Sequence, residues 1–376
     1  MSVSQIHGVV PRSNLTTDVG RAADLANYKV CHVNDLVINR MSAYNGALGV
    51  ARQDGLVSPD YLVLCVHNSE SADFISHWLR TPAGIFQMVL RLRGIGTPDG
   101  SQVRTPRINE AELRSIEIEV PARDEQKAIV DFLSREISRI DTLIAKQGQL
   151  IETLRERRLA AIRHSIPIAE KHETGDKLGR WTRIGNGSTP RRDNAAYWQA
   201  GTFPWLNSAV VNQSRVSSSD QFVTQVALAE CHLPIVPPGS ILVGLTGQGR
   251  TRGMTTILDI EATVNQHVAY VRPDNSRWFP DYLVWALTSA YSDLRRLSDE
   301  NGSTKGGLTC EDLKRFRVAR PGLENQRQIA AELDALTNEI DELIAKAEEF
   351  VALAKERRGA LITAAVTGQI DVSKAA

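Results

Sequence analysis

The sequence predicts an α+β protein: two strand-rich modules, each followed by one long helix, the two helices packing as an antiparallel coiled coil with pseudo-two-fold symmetry. Three observations predict it. First, the 376-residue chain matches itself at a shift of 200 positions: Pro121, Gln126, Ile129, Leu133, Ile140 and Asp141 recur as Pro321, Gln326, Ile329, Leu333, Ile340 and Asp341. Leu143-Ile144-Ala145-Lys146 recurs as Leu343-Ile344-Ala345-Lys346, and Glu156-Arg157-Arg158 as Glu356-Arg357-Arg358. Second, both copies place apolar residues in alternating steps of three and four, the spacing of a helix with a coiled-coil seam. Third, the segments ahead of the copies break into short apolar runs between Gly, Pro, Asn and Ser turns, as strands do. Self-similarity on this scale sets the architecture before any local feature does.

Residues 1–120 are the first module. Its Gly8-Val9-Val10-Pro11-Arg12 aligns with Gly187-Ser188-Thr189-Pro190-Arg191, and Asp35-Leu36-Val37 with Ser240-Ile241-Leu242. Asp73 to Leu79 parallels Asp281 to Leu287, and Leu113 parallels Leu313. It is the shorter module, by about two strands between Gly8 and Asn34. Residues 121–165 are the first long helix, with the seam Val130, Leu133, Ile137, Ile140, Ile144, Ile151, Leu154 and Arg158. Pro121 precedes it, and Asp124 and Glu125 suit the positive end of a first turn. About 40 residues at 1.5 Å each make a rod of roughly 60 Å. Residues 166–180 are a linker.

Residues 181–320 are the second module. Phe203-Pro204-Trp205-Leu206, Ile241-Leu242-Val243 and His267-Val268-Ala269-Tyr270-Val271 read as strands, Pro280 to Leu287 as a helix, and Asn301 to Leu308 as a Gly-rich loop ahead of a short helix. Residues 321–376 are the second long helix and the tail, with the seam Ala330, Leu333, Thr337, Ile340, Ile344, Ala347, Val351 and Arg358, and a glycine stop at Thr367-Gly368. The seam arginine repeated at Arg158 and Arg358 implies a fixed register or a buried partner carboxylate. Apolar residues beside the seams (Phe132, Leu143, Leu150; Leu336, Leu343, Phe350) leave surface for further helices to dock.

Composition narrows the function. Apolar residues make up 42% and charged residues 23%, as in ordinary soluble chains. No apolar run reaches the roughly 20 residues of a membrane helix, and the start, MSVSQIHGVVPRS, lacks the pattern of a signal peptide. The four cysteines are scattered, which suits inert thiols in a reducing cytoplasm. No cysteine or histidine spacing suggests a metal site. The net charge is zero, with residues 181–320 slightly basic and the second helix acidic. Two similar modules on a rod longer than one DNA turn match the symmetry of duplex DNA. With so little net charge, phosphate attraction by this chain alone is weak, so basic partners must supply much of the affinity.

Enzyme readings find little support. There is no Asn-Pro-Pro motif for a methyltransferase, and Gly244-Leu245-Thr246-Gly247-Gln248-Gly249 does not open a helix as a cofactor turn would. Asp99 with Glu125 and Lys127 has nuclease-like composition, but the last two belong to a helix start whose counterpart is Asn325-Gln326-Arg327. There is no P-loop. No catalytic residue, metal or cofactor is expected.

The motifs resemble those of a known family, the specificity (S) subunits of type I restriction-modification systems. Pro121-Ala122-Arg123-Asp124-Glu125-Gln126 through Ile129, then Ile140-Asp141-Thr142-Leu143-Ile144, is similar to the family's helix opening and Ile-Asp-x-Leu-Ile step. Lys355 to Asp371 resembles its C-terminal signature. Gly187-Ser188-Thr189-Pro190 with Tyr197-Trp198 and Pro204-Trp205-Leu206, and Gly8 to Ser13 with Val57 to Tyr61, resemble target recognition domains. The resemblance covers nearly the whole chain. It implies that each domain reads one half of a bipartite DNA target and that the helices set the unread spacer. It further implies that two modification (methyltransferase) subunits dock on the helices and methylate adenine, and that restriction/translocase subunits join to make the nuclease. Asn325 stands where the family usually has glutamate, and the chain begins almost at Gly8, so a lead-in strand common in the family is expected to be missing.

Residue chemistry then nominates DNA contacts. Arg and Lys suit guanine, Asn and Gln adenine. In the first module these are Arg12, Asn39, Arg40, Tyr44, Arg91, Arg93, Arg104 and Arg107. In the second they are Arg191, Arg192, Gln248, Arg250, Arg252 and Lys305. Most protein–DNA contacts position the protein on phosphate instead of specifying sequence. For partner docking the helix residues Ile140, Leu143, Ile144, Leu343, Ile344 and Phe350 are expected. The alternative is a coiled-coil scaffold that assembles partners without reading sequence. Divergent modules on near-identical helices favour the reader.

Overall fold

The computed structural model describes residues 1–5, 8–16, 25–66, 71–92, 106–166, 175–247, 249–300 and 307–372. In chain order the elements begin with strands β1 (Ser2–Ser4), β2 (Gly8–Val10), β3 (Lys29–Cys31), β4 (Leu36–Asn39), β5 (Leu48–Val50), β6 (Gly55–Val57) and β7 (Tyr61–Leu64). Helices α1 (Ala72–Leu79), α2 (Pro82–Val89), α3 (Glu110–Arg114) and the 43-residue α4 (Arg123–Ser165) follow. Then come β8 (Asp176–Lys177), β9 (Thr182–Asn186), α5 (Ala195–Trp198), β10 (Phe203–Leu206), β11 (Arg215–Val216), β12 (Phe222–Val223), α6 (Gln225–Glu230), β13 (Ile241–Gly244), β14 (Thr255–Leu258), β15 (Thr263–Val264) and β16 (Val268–Pro273). The chain finishes with α7 (Pro280–Ser289), α8 (Tyr291–Glu300), α9 (Cys310–Arg315), β17 (Arg317–Val318) and the 44-residue α10 (Leu323–Val366). The chain divides into two compact units, Met1–Gln149 with Ala347–Ala376, and Leu150–Lys346. Each long helix gives one end to each unit.

In the first unit β4 pairs antiparallel with β5 and β7. Strand residues alternate between faces, and both faces of β4 are covered. Leu36 and Ile38 join a core with Leu48, Leu79, Met88 and Leu113; Val37 joins a second with Val3, Val9, Cys31 and Val57. A lead-in strand is present after all: β1 pairs with β2, Ser2 opposite Val10, and its Val3 is buried. In the second unit the order is β11-β14-β13-β16-β9. Central β13 repeats the plan of β4. Ile241 and Val243 pack on Tyr282, Leu283 and Leu287 of α7, while Leu242 faces Leu206, Leu258 and Val264 on the other side. These are the positions the sequence had aligned.

The ends of the long helices pack on each other within each unit. In the first, Ile129, Phe132 and Leu133 of α4 meet Ile362, Ala365 and Val366 of α10 and Phe74 of α1. In the second, Ile162 and Ile166 at the close of α4 share a core with Ala330 and Leu333 at the opening of α10. The start of one helix lies against the end of the other in both cases, so the segments run antiparallel. The seam arginines find carboxylates within their own units. Arg158 Nε lies 3.0 Å from Asp341, and Arg358 Nε 3.1 Å from Asp141. The aspartates are about half exposed, not buried, so these pairs set register more than they add stability. Helix α10 stops at Gly368, which takes φ +70°.

A glutamine fastens each long helix to its module. Gln126 is buried; its Oε1 accepts from the Ser71 N–H that opens α1 (2.7 Å) and its Nε2 donates to Pro121 O (2.8 Å). Gln326 is fully buried; its Oε1 accepts from the Phe279 N–H that opens α7 (2.7 Å), and its Nε2 donates to Pro321 O (2.8 Å) and Arg277 O (3.0 Å). Removing such an amide strands buried donors and acceptors. Gln326→Ala is therefore expected to lower stability by about 2–4 kcal/mol, read by urea denaturation of the full chain, while the same change at exposed Gln328 leaves it within about 0.5 kcal/mol.

Across the module alignment His77 of α1 occupies the place of Trp285 of α7. Trp285 Nε1 donates to Asp334 Oδ1 (2.7 Å), and the Arg158 guanidinium sits 5.8 Å from its ring. Burial, helped by the charges of Arg80, Arg358 and Arg52 against the opposing pull of Asp73, lowers the His77 pKa from 6.5 to about 4. The unfolded chain takes a proton there near 6.5 and the folded chain only near 4. The stability contributed by the neutral ring is thus complete above 6.5, lost as pH falls towards 4, and level below that. The expected loss is at most about 3 kcal/mol. Denaturation midpoints measured across this window should show it, and His77→Gln should flatten the curve.

Candidate nucleic-acid interface

Sheet polarity brings three loops of the second module to one place. The end of β9, the end of β13 and the start of β16 are register neighbours: Ala269 lies opposite Asn186, and Gly244 opposite Val268. The loops leaving or entering there are 187–194, 245–254 and 265–267. Two glycines make the approach possible. A Cβ on Gly187 would fall 1.8 Å from Val264 O, and one on Gly244 2.2 Å from Thr251 O, so any side chain would force the loops apart.

The 245–254 loop is held from behind by α8. Tyr291 Oη donates to Arg250 O (3.0 Å), Arg295 donates to Gly249 O, and Arg252 Nη2 donates to Asp299 Oδ1 (2.7 Å). Arg252 is only 6% exposed. It is an anchor of the loop and not a tip, contrary to its nomination from sequence: the side chain is enclosed, with Nη2 on Asp299 and Nε buried. Arg250 is exposed. Arg191 and Arg192 are also exposed on the first loop. Arg191 pairs with Asp193 (2.8 Å). The Arg192 guanidinium lies 4.0 Å from the Trp198 ring and 4.8 Å from Trp205, with Nη2 donating to Gln221 Oε1 (2.9 Å). Two cation–π contacts fix its position at the surface.

A polar chain crosses the mouth of these loops. Thr189 Oγ1 donates to Gln266 Oε1 (2.8 Å); Gln266 Nε2 lies 3.2 Å from His267 Nε2; Thr246 Oγ1 lies 3.0 Å from His267 Nδ1. Asn186 Nδ2 donates to Gln266 O (3.2 Å). The threonine hydroxyls and the imidazole can each donate or accept, so the chain is satisfied from Thr189 through to Thr246. Gln266, His267, Asn186, Thr189 and Thr246 were not singled out from sequence. Their one local signal was the polar Asn-Gln-His triplet placed just ahead of an apolar strand.

In the first module Arg12, in a 3-10 turn at 12–14, and Arg107 are exposed. Tyr44 is half-buried in the turn at 43–45. Arg40 is held internally, donating Nε to Ile108 O (3.1 Å) and Nη2 to Asn109 Oδ1. Asn39 Oδ1 accepts from Met41 N. Arg91 bonds Gln87 and Ser115. These three support loops of the module. Arg93, Arg104, Gln248 and Lys305 lie outside the described residues. On the helices Leu143 (46%), Leu343 (44%) and Phe350 (41%) stand exposed; Ile144 and Ile344 are half-buried; Ile140 is buried and so presents nothing to a docking partner. Among the described residues no group of His, Cys, Asp and Glu could hold a metal ion, and no helix is long and apolar enough to cross a membrane.

Each unit is thus a mixed α/β module tied to a segment of both long helices, and each repeats the other's central strand and anchor. The model of the type I restriction modification DNA specificity domain matches residues 40–153 and 177–349. The chain belongs to that family, as a specificity subunit with two such domains. The specificity subunit of the type I restriction enzyme EcoR124I/EcoR124II of Escherichia coli is 22% identical over 288 residues, covering 74% of this chain and 67% of that one. A chain solved in work on complex assembly and conformational transition of the type I R-M system matches with a TM-score of 0.75 at 17% identity, over 92% of this chain and 84% of that one. The HsdS subunit from Thermoanaerobacter tengcongensis matches with a TM-score of 0.55 at 18% identity, over 93% and 84%. At these identities the two structural likenesses concern the fold.

The geometry separates two neighbouring arginines. Arg252→Ala should lower the stability of the protein by about 1–2 kcal/mol through loss of a buried arginine stem and a charge-assisted, part-buried bond. Arg250→Ala should leave it within about 0.5 kcal/mol. Chemical denaturation of both variants checks this.

Proposed function

We propose that the chain reads a bipartite DNA sequence for a type I restriction-modification complex, one module per half-site. The match of the specificity-domain model to both modules carries this reading. In it, residues 1–120 and 181–320 are the two target recognition domains. Residues 121–165 and 321–376 are the spacer helices with the tail, and 166–180 link the halves. The helices set the unread gap between half-sites. Two methyltransferase subunits dock on them, where Leu143, Leu343 and Phe350 offer exposed apolar surface. Restriction/translocase subunits join that assembly in the cytoplasm. The partners perform adenine methylation, ATP hydrolysis and cleavage; this chain holds the DNA and chooses the site. The near-zero net charge supports the division of labour, since the partners then supply much of the phosphate attraction.

Arg12, Arg107, Arg191, Arg192 and Arg250 are the described basic side chains proposed to face DNA, mostly at phosphates. Arg93, Arg104, Gln248 and Lys305 complete the proposed set from sequence. Methylome sequencing of a host that expresses this chain with its methyltransferase partner tests the reading. Adenine methylation is expected at one motif made of two short half-sites around a fixed gap. A contiguous motif would mean that one module reads alone. A methylome with no motif dependent on this chain would favour a coiled-coil scaffold without sequence readout.

A further inference from the structure

We infer that Gln266 is an adenine-reading side chain of the second module, held in reading position by Thr189 and His267. The inference rests on the proposed DNA-reading function and assigns one position of the target to one residue.

Gln266 sits where the loops at 187–194, 245–254 and 265–267 converge, and it is exposed although Asn265 before it is buried and His267 after it is half-buried. A glutamine on a surface loop ordinarily samples many rotamers. This one is held at both ends of its amide. Thr189 donates to Oε1 at 2.8 Å, and Nε2 donates to His267 Nε2 at 3.2 Å. The backbone beneath it is held too, because Asn186 Nδ2 donates to Gln266 O and Asn265 Oδ1 accepts from His267 N. The imidazole is in turn fixed by Thr246 at 3.0 Å.

The amide keeps half of its hydrogen-bonding capacity. An amide oxygen has two lone pairs and an amide nitrogen two hydrogens. One of each is used within the protein and one of each is left. The remaining acceptor and donor match the N6 amino group and N7 of adenine in the major groove, the pairing that suits Gln geometrically. A guanine would set its O6 acceptor against the amide oxygen. Thr189 and His267 hold the plane of the amide, so that its remaining acceptor and donor are presented together. Exposed Arg191 and Arg250 leave from the flanking loops, where they can hold phosphates on either side.

Thr189 and His267 are positioning residues and Gln266 touches the base. Methylome sequencing of cells that express the full chain with its methyltransferase partner tests this for Gln266→Ala, Gln266→Glu and Thr189→Val, with co-purification of the two subunits as the check on assembly. For Gln266→Ala, discrimination at one A·T position in one half-site should fall by about 10- to 100-fold. The other half-site and the gap should stay as they are. Gln266→Glu keeps the shape but loses the amide donors, and should lose adenine at that same position in favour of cytosine, whose amino group a carboxylate can accept. Thr189→Val should weaken the same position to a smaller extent. Unchanged motifs in the Gln266 variants, or an even loss of methylation across the motif in an assembled complex, would overturn the inference. Should Gln266→Ala fail to assemble, the isosteric Gln266→Glu decides alone. Failure of the underlying reading looks different: the wild-type chain itself would then direct no bipartite motif.

Discussion

The structure depends on a side-chain amide at the foot of each long helix. A helix start leaves backbone N–H groups without partners. Here the N–H groups in question belong to the module's helix, α1 or α7, and the acceptor comes from the long helix. Gln126 and Gln326 each accept the opening N–H of that shorter helix and return a bond to the proline carbonyl five residues back. Both amides are buried, so each bond must be made or its desolvation cost is carried in full. Hydrophobic contact alone would let a smooth helix slide along a module. The amide bonds allow one angle and one axial position, and the ion pairs Arg158–Asp341 and Arg358–Asp141 then fix the register of the opposing segment.

Much of that framework was legible in the sequence, because it is periodic and repeated. The 200-residue shift marked Gln126 and Gln326, the seam positions and the seam arginines before their partners were known. The alignment of Leu36-Val37 with Ile241-Leu242 held as well, since both central strands are buried on two faces and so carry the same unbroken apolar run. Some inferences from type alone did not transfer. The seam arginines had suggested a fixed register or a buried carboxylate; their aspartates are about half exposed, which leaves the register. Ile140 had seemed a docking residue, and it belongs to the inner face of its helix.

The recognition end was far less legible, for a physical reason. The residues of these loops are held by partners that lie far along the chain. Thr189 and Gln266 are 77 positions apart, and Arg252 and Asp299 are 47 apart. No periodicity connects them, and each is an ordinary polar residue in its own neighbourhood. Composition therefore chose the charged residues and missed the amide. It grouped Arg250 with Arg252, although one faces solvent and the other is enclosed against α8. Only the antiparallel order of β9, β16 and β13 makes neighbours of these loops.

The first unit joins residues Met1–Gln149 to Ala347–Ala376, whereas the second is drawn from the continuous stretch Leu150–Lys346. This has a consequence for biosynthesis. A ribosome delivers the chain in order, and domains tend to fold as they emerge. The second unit has every residue it needs once Lys346 has left the exit tunnel. The first must wait, with Phe74, Phe132 and Leu133 unpaired, until Ile362, Ala365 and Val366 arrive to cover them. The unit begun first is thus the one finished last, although its two sheet cores draw on no residue beyond Ile116. A premature stop in the last turns of α10 would leave the second unit whole and uncover Phe74, Phe132 and Leu133 of the first.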